Sequence, residues 1–235
     1  IERRQELGVM NVPTCKTVAD LLKEYVSLYG TTTWSLSVYS SNTRLIRNYI
    51  NPVIGKMNLC EISPPILEKY YQKLLQTPAV SRITQKRGTK DTGCIQPATV
   101  RKVHSLLRSA FNQAVKWELM EKNPAIHATV PKAVPQKREV WDAETIFLAL
   151  DVCDDARLKL AINLSFACSM RIGEILGLTW DCVDFSPKSI ADGTASIMIT
   201  KELQRVDKTA MKSLEQKDVL FSTRRARSAT RACSF

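Results

Sequence analysis

At 235 residues, 44% hydrophobic and 24% charged, the chain suits one large globular domain or two ordinary ones and lacks the composition of a disordered protein. It contains no apolar run of membrane-spanning length, and its seven cysteines include no CxxC pair, which argues against a membrane span, a zinc site and a disulfide framework. The net charge of +11 is uneven, since residues 16–135 hold 17 basic and 7 acidic side chains while residues 136–235 hold 15 and 14, so a polyanionic partner is expected for the first segment.

Residues 1–15 read as the remnant of an N-terminal region. Thr17 is a helix N-cap, followed by an apolar face of Val18, Leu21, Leu22, Tyr25, Leu28 and Tyr29, with Gly30 as the stop. A second helix begins at Ser35 or Ser37, runs through Tyr39, Leu45, Ile46, Tyr49 and Ile50, and ends at Asn51-Pro52 before a turn at Gly55. Ser63 with Pro64 and Pro65 opens a third helix to about Gln76, since proline is tolerated in a first turn.

Residues 78–96 are polar and loop-like and carry Lys86, Arg87 and Lys90. The longest helix follows, from about Pro97 to Met120. Its stripe of Val100, Val103, Leu107, Ala110, Phe111, Ala114 and Trp117 should be buried, and Arg101, Ser105, Arg108 and Asn112 share the opposite face. Asn123-Pro124 closes it. Four amphipathic helices with short connections make a small bundle over residues 16–130.

The segment PKAVPQKREV, residues 131–140, reads as a linker. Asp142 caps the first helix of a second region, with helices expected at about 143–153, 156–168 and 171–178 and a strand at Ser196–Thr200. After Phe221 the sequence STRRARSATRACSF has no apolar periodicity, and residues 222–235 are expected to be an aberrant, disordered tail. The four tryptophans, Trp34, Trp117, Trp141 and Trp180, are expected as core or hinge anchors.

The most informative segment is LAINLSFACSMRIGEILGLTWDCVDF, residues 160–185. A helix expected to be buried leads to Arg171, then to Gly173-Glu174, a second apolar run, and a turn with Trp180, Asp181 and Asp184. This resembles the first signature box of the tyrosine recombinases, the phage-type integrases, in which an arginine at a helix start is followed by a Gly-Glu pair and an L-x-W-x-D ending. The helix order of the first region, with NPVIGKMNLCEIS and ATVRKVHSLLRSAFNQAVKWELMEKNPA, resembles the core-binding domain of the same family, especially in integrases of conjugative transposons. The resemblance spans about residues 16–221.

The resemblance implies a mainly α fold: an N-terminal four-helix core-binding (SAM-like) domain at 16–130, then the first part of a mixed α/β integrase catalytic domain at 141–221. Family members cut one DNA strand with a tyrosine, without metal or cofactor, while arginines, a lysine and histidine-class residues stabilise the phosphate. Such charge needs preplaced cationic donors, and arginine offers a planar fork. Arg171 matches the first of those arginines, and Glu174 the acid that supports it. Lys201, after the 196–200 strand, is the candidate lysine, with Lys208, Lys212 and Lys217 as alternatives. The family places the second and fourth helices against DNA, which points to Arg44, Arg47, Arg101, Lys102, Ser105, Arg108 and Asn112, with Lys86 and Arg87 as loop contacts.

Two departures stand out. The family's glycine before x-R is replaced by Ser169. No tyrosine follows Tyr71, and neither His104 nor His127 has an arginine three residues later, so the second region holds no nucleophile and no His-x-x-Arg box. His104 reads as a polar-face residue and not a metal ligand. The expectation is a truncated, cytoplasmic recombinase fragment, associated with the bacterial nucleoid, that binds attachment-site-like double-stranded DNA without cleaving it. Full-length integrase protomers are expected as partners. A non-catalytic regulator or competitor, a non-functional remnant and one part of a split enzyme remain as alternatives.

Overall fold

The computed structural model describes residues 17–80, 93–134 and 139–203, and the backbone of 221–223 and 232–234. The expectations for residues 1–15, for Lys86, Arg87 and Lys90, and for Lys208, Lys212 and Lys217 lie outside the described residues. The chain divides into two compact units, Ile1–Gln136 and Lys137–Phe235.

The first unit is a four-helix bundle. Helix α1, Val18–Tyr25, starts in a capping box: Thr17 Oγ1 accepts from the Asp20 N–H, and the Asp20 carboxylate accepts from the Thr17 N–H. It does not stop at Gly30. The backbone passes through a π turn at Val26–Gly30 and a further turn at Thr31–Thr33. Gly30 stays right-handed (φ −64°), and a Cβ there would lie 3.1 Å from the Trp34 ring, so the glycine serves close packing. The hydroxyls of Thr31, Thr32 and Thr33 bond back to the carbonyls of Ser27, Leu28 and Tyr29. The wider turn also carries Leu28 and Tyr29 off the expected buried face; Leu28 is 54% exposed.

Helix α2, Leu36–Leu45, likewise runs past its expected end, through a π turn at Ile46–Ile50 and a turn at Asn51–Ile54. Pro52 lies within this continuous stretch, directly after the π turn and Asn51. Helix α3 is Pro64–Leu75 and α4 is Pro97–Lys116. α4 ends a turn before Met120, at Glu118, whose φ of 60° closes it in the left-handed conformation.

The shared core takes Val18, Leu21, Leu22 and Tyr25 from α1, Leu45 from α2, Leu67, Tyr71 and Leu74 from α3, and Val100, Val103, Leu107, Ala110, Phe111 and Ala114 from α4; Trp34 and Trp117 pack against it. Its buried polar groups are paired. Tyr70 donates to the Tyr49 carbonyl at 3.0 Å, and Asn123 caps the Pro124–Ile126 turn while donating to the Arg108 carbonyl.

The second unit carries α5 (Ala143–Asp151), capped by Asp142, then α6 (Ala156–Ala167), α7 (Ile172–Leu176) and α8 (Pro187–Ala191). Strands β1 (Val183–Asp184) and β2 (Ser196–Met198) are antiparallel, and β3 is Lys201–Leu203. In the tail, Phe221–Thr223 (β4) pairs with β3 and Ala232–Ser234 (β5) pairs with β2, while the residues between these strands lie outside the described residues. Ladder bonds use backbone groups that any sequence without proline supplies, so missing apolar periodicity did not forbid them.

One correction concerns α6, expected to be buried. It has no buried residue, and Leu158, Leu160 and Phe166 are more than half exposed. The unit's buried cluster is small: Cys168, Met170, Ile197 and Ile199, with Leu164, Ile175, Leu178 and Val183 against it. Trp141 and Trp180 are exposed, not core anchors. Apolar periodicity states which face a helix buries when a covering layer is present, not that the layer is there.

Candidate functional site

Two groups of candidates emerge, one in each unit. In the first unit, α4 buries its apolar stripe and leaves Arg101, Lys102, Ser105, Arg108 and Asn112 exposed. Arg101, Lys102, Ser105 and Ser109 form one wall of an open groove of about 360 Å³, and Tyr25, Trp34, Ser41 and Asn42 form another part of its lining. Ser41 and Asn42 were missed in the sequence; they sit a turn ahead of Leu45, on the side of α2 that meets α4. Arg44 is half-buried and Arg47 exposed, with Arg47 Nε donating to Asn48 at 3.3 Å; neither lines the groove. The Asn112 amide oxygen accepts from Asn123 at 2.7 Å, so part of its hydrogen-bonding capacity serves the fold.

Under the same strip lies a buried contact. Tyr71, fully buried, meets His104 Nδ1 at 3.0 Å, with the rings edge-on at 5.7 Å. Burial and the nearby Glu68 charge push the Tyr71 hydroxyl well above its ordinary value. Burial, then the Arg108 charge, pull the His104 imidazole below its ordinary value. Among the described residues no cluster of His, Cys, Asp and Glu is placed to hold a metal, and no helix is long and apolar enough to cross a membrane.

In the second unit, Arg171 takes the N-cap position of α7. Glu174, only 2% exposed, accepts from the Arg171 N–H at 2.9 Å and pairs with Arg171 Nη1 at 3.1 Å. The Arg171 side chain is 67% exposed. A buried carboxylate thus holds one edge of the fork and leaves the rest facing outward. Ser169, at the position of the family's glycine, has φ 49°, the left-handed region that glycine occupies without strain.

Lys201 on β3 donates to Asp181 Oδ2 at 2.8 Å and to Thr179 Oγ1 at 3.2 Å. The pairing raises the lysine and holds Asp181 down at about 2. The aspartate of the L-x-W-x-D ending falls one residue early, at Asp181, and Cys182 stands in its place. The Cys182 thiol meets Thr200 Oγ1 at 3.1 Å, a contact that lowers it. Gly177, missed in the sequence, and Gly173, read there only as half of the Gly-Glu pair, let β3 rest on α7: a Cβ on Gly177 would lie 2.9 Å from Glu202 Cα. Their spacing of four, one face of a helix, was the available signal.

Residues 17–75, which build α1 to α3, match the family model described as phage integrase, N-terminal SAM-like domain. A "Tyrosine recombinase XerC-like" protein of Caldanaerobacter subterraneus subsp. tengcongensis is 28% identical over 151 residues, covering 61% of this chain and 34% of that protein. The chain is thus similar to tyrosine recombinases over 61% of its length, and its residues 17–75 to the SAM-like domain of phage integrases. An "Integrase" of Saccharopolyspora erythraea is 23% identical over 192 residues, covering 81% of this chain and 36% of that protein. The chain therefore spans about a third of the length of these recombinases. Among solved structures, the Tn1549 transposon integrase in complex with circular intermediate DNA shares the fold at a TM-score of 0.62 and 16% identity, covering 83% of this chain and 57% of that one.

Proposed function

We propose that the chain is the DNA-engaging part of a tyrosine-type site-specific recombinase acting in integration of a mobile element. In this reading the first unit grips double-stranded DNA of attachment-site type. The second unit supplies Arg171, backed by Glu174, as a phosphate-site arginine. The observation that carries the reading is α4. One side is wholly buried, while the other exposes Arg101, Lys102, Ser105 and Arg108 in a segment whose basic excess is ten charges. Solved relatives are integrases in complex with circular intermediate DNA and transposon right end DNA, which supports the same partner.

Cleavage is not part of the proposed activity of these 235 residues. Their last tyrosine, Tyr71, is fully buried and bonded to His104, out of reach of a phosphodiester. Titrating an element-end duplex at increasing salt tests the binding. A slope of about −0.9 per phosphate contact is expected, and a slope near zero overturns it. A suicide attachment-site substrate tests the second half: a covalent protein–DNA adduct overturns the non-cleaving reading.

A further inference from the structure

His104 has no role in the reading above, yet it sits one helical turn from both Arg101 and Arg108, on the same side of α4. We propose that His104 is itself a DNA-contacting residue: Tyr71 holds its imidazole so that Nε2–H is presented between the two arginines, and a DNA phosphate arriving there draws a proton onto the ring. The proposal rests on the reading of α4 as the DNA face.

The orientation follows from donor chemistry. Tyr71 is buried and its hydroxyl stays protonated, and in the proposed arrangement it is the donor to Nδ1. A neutral imidazole that accepts at Nδ1 carries its hydrogen on Nε2. The half-buried ring is pinned at one nitrogen by α3 and offers the other as a donor. Leaving the ring free would cost rotamer entropy on binding, and the Tyr71 bond removes that cost beforehand.

The charge behaviour follows from the neighbours. α3 brings Tyr71, with Glu68 beside it; the Glu68 carboxylate accepts from the Thr129 N–H, in the segment after α4, at 2.7 Å. α4 brings Arg101 and Arg108, and Arg108 disfavours the imidazolium. α1 meets α4 elsewhere on its circumference, through Tyr25 and Ser109, and its charged residues are Asp20, Lys23 and Glu24. In the free protein burial and the Arg108 charge both disfavour the charged ring. A phosphodiester between the arginines offsets their field and favours the charged ring. The proton comes from solvent to Nδ1, and the Tyr71 hydroxyl turns from donor to acceptor. DNA affinity should rise as pH falls from about 7.5 to 5.5, since a rise of one unit in the ring's pKa on binding is tenfold in affinity.

The test combines two measurements on the full chain. Nitrogen-15 spectra of the free protein should show His104 as the Nε2–H tautomer; the Nδ1–H tautomer overturns the proposal, with no variant needed. Duplex binding between pH 5.5 and 7.5, with His127→Gln as the background, should strengthen by roughly 3- to 10-fold toward acid. His104→Gln should flatten that profile, and a profile unchanged by His104→Gln overturns the proposal. Arg101→Gln and Arg108→Gln separate the two levels. If neither weakens binding and the salt slope is flat, the DNA face itself is wrong. If both weaken binding while the pH profile ignores His104, only the present inference fails.

Discussion

The two units solve the burial problem to different degrees. In the first, α1 to α4 close over one continuous core, and Tyr71, Phe111, Leu21, Leu67 and Leu107 are essentially inaccessible. In the second, the buried cluster is small, and Phe147, Leu148, Leu158, Leu160, Phe166 and Ile172 are more than half exposed. Yet the second unit holds the more tightly built polar site, with Glu174 buried against Arg171 and Lys201 tied to Asp181. Its Arg171–Glu174 half is assembled locally by a helix cap, and its Lys201–Asp181 half needs only one strand brought against one turn. A core needs several elements from distant parts of the chain.

The largest effect should come from attacking that contrast directly. Phe111→Ala or Leu107→Ala should destabilise the first unit by about 3–5 kcal/mol and abolish duplex binding, whereas Phe147→Ala in the second should change stability by less than about 0.5 kcal/mol. Urea unfolding followed by tryptophan fluorescence and limited proteolysis reads both, and comparable losses for the two would erase the distinction between the units.

Next is Glu174→Ala. Loss of the carboxylate removes an acceptor for the Arg171 N–H and a partner for its guanidinium; because the Arg171 side chain is largely exposed, about 1–2 kcal/mol is expected, not the full cost of a buried pair. Thermal unfolding of the second unit checks this, and an unchanged midpoint would show that Glu174 is not what holds the α7 start.

Smaller, and opposite in sign, is Ser169→Gly. Relief of the left-handed strain at φ 49° should stabilise the second unit by about 1 kcal/mol, less whatever the glycine adds in unfolded-chain entropy. A lower midpoint would mean that the serine hydroxyl contributes more than the strain costs.

The smallest effect is in the Asp181–Lys201 clasp. Asp181 has a folded value of about 2, below the usual 3.8, so its contribution is present above 3.8 and lost as pH falls through about 2. Lys201 is raised, so its contribution is present below 10.5 and lost as pH rises through its folded value. Wild-type and Asp181→Asn melting curves should differ at pH 5 and converge near pH 2. Curves that stay apart at pH 2 would remove the carboxylate as the cause.

Much of the first unit was legible because its determinants are local. The Thr17 cap, the prolines at 64 and 65 and the α4 stripe each act within a turn or two of chain. The helix ends were less legible. Gly30 and Pro52 are stop signals by propensity, but Trp34 packing on Gly30 and the back-bonded threonines carried α1 onward. At the second site, Arg171 and Glu174 were legible from their spacing of three. The groove residues Ser41 and Asn42, and the Gly173–Gly177 seat for β3, depend on which helix or strand lies opposite.

The amino-acid sequence by itself determined the four-helix pattern, the concentration of positive charge in residues 16–135, the family resemblance around Arg171 and the absence of any tyrosine after Tyr71. These follow from residue type and spacing, which need no partner. Only the tertiary structure decided that Glu174 is buried under an exposed Arg171 side chain, that Lys201 is claimed by Asp181 and Thr179, that Tyr71 holds His104 beneath the arginine strip, and that α6 stays uncovered. Each depends on groups separated in sequence meeting in space, and burial, pKa and orientation are properties of that meeting.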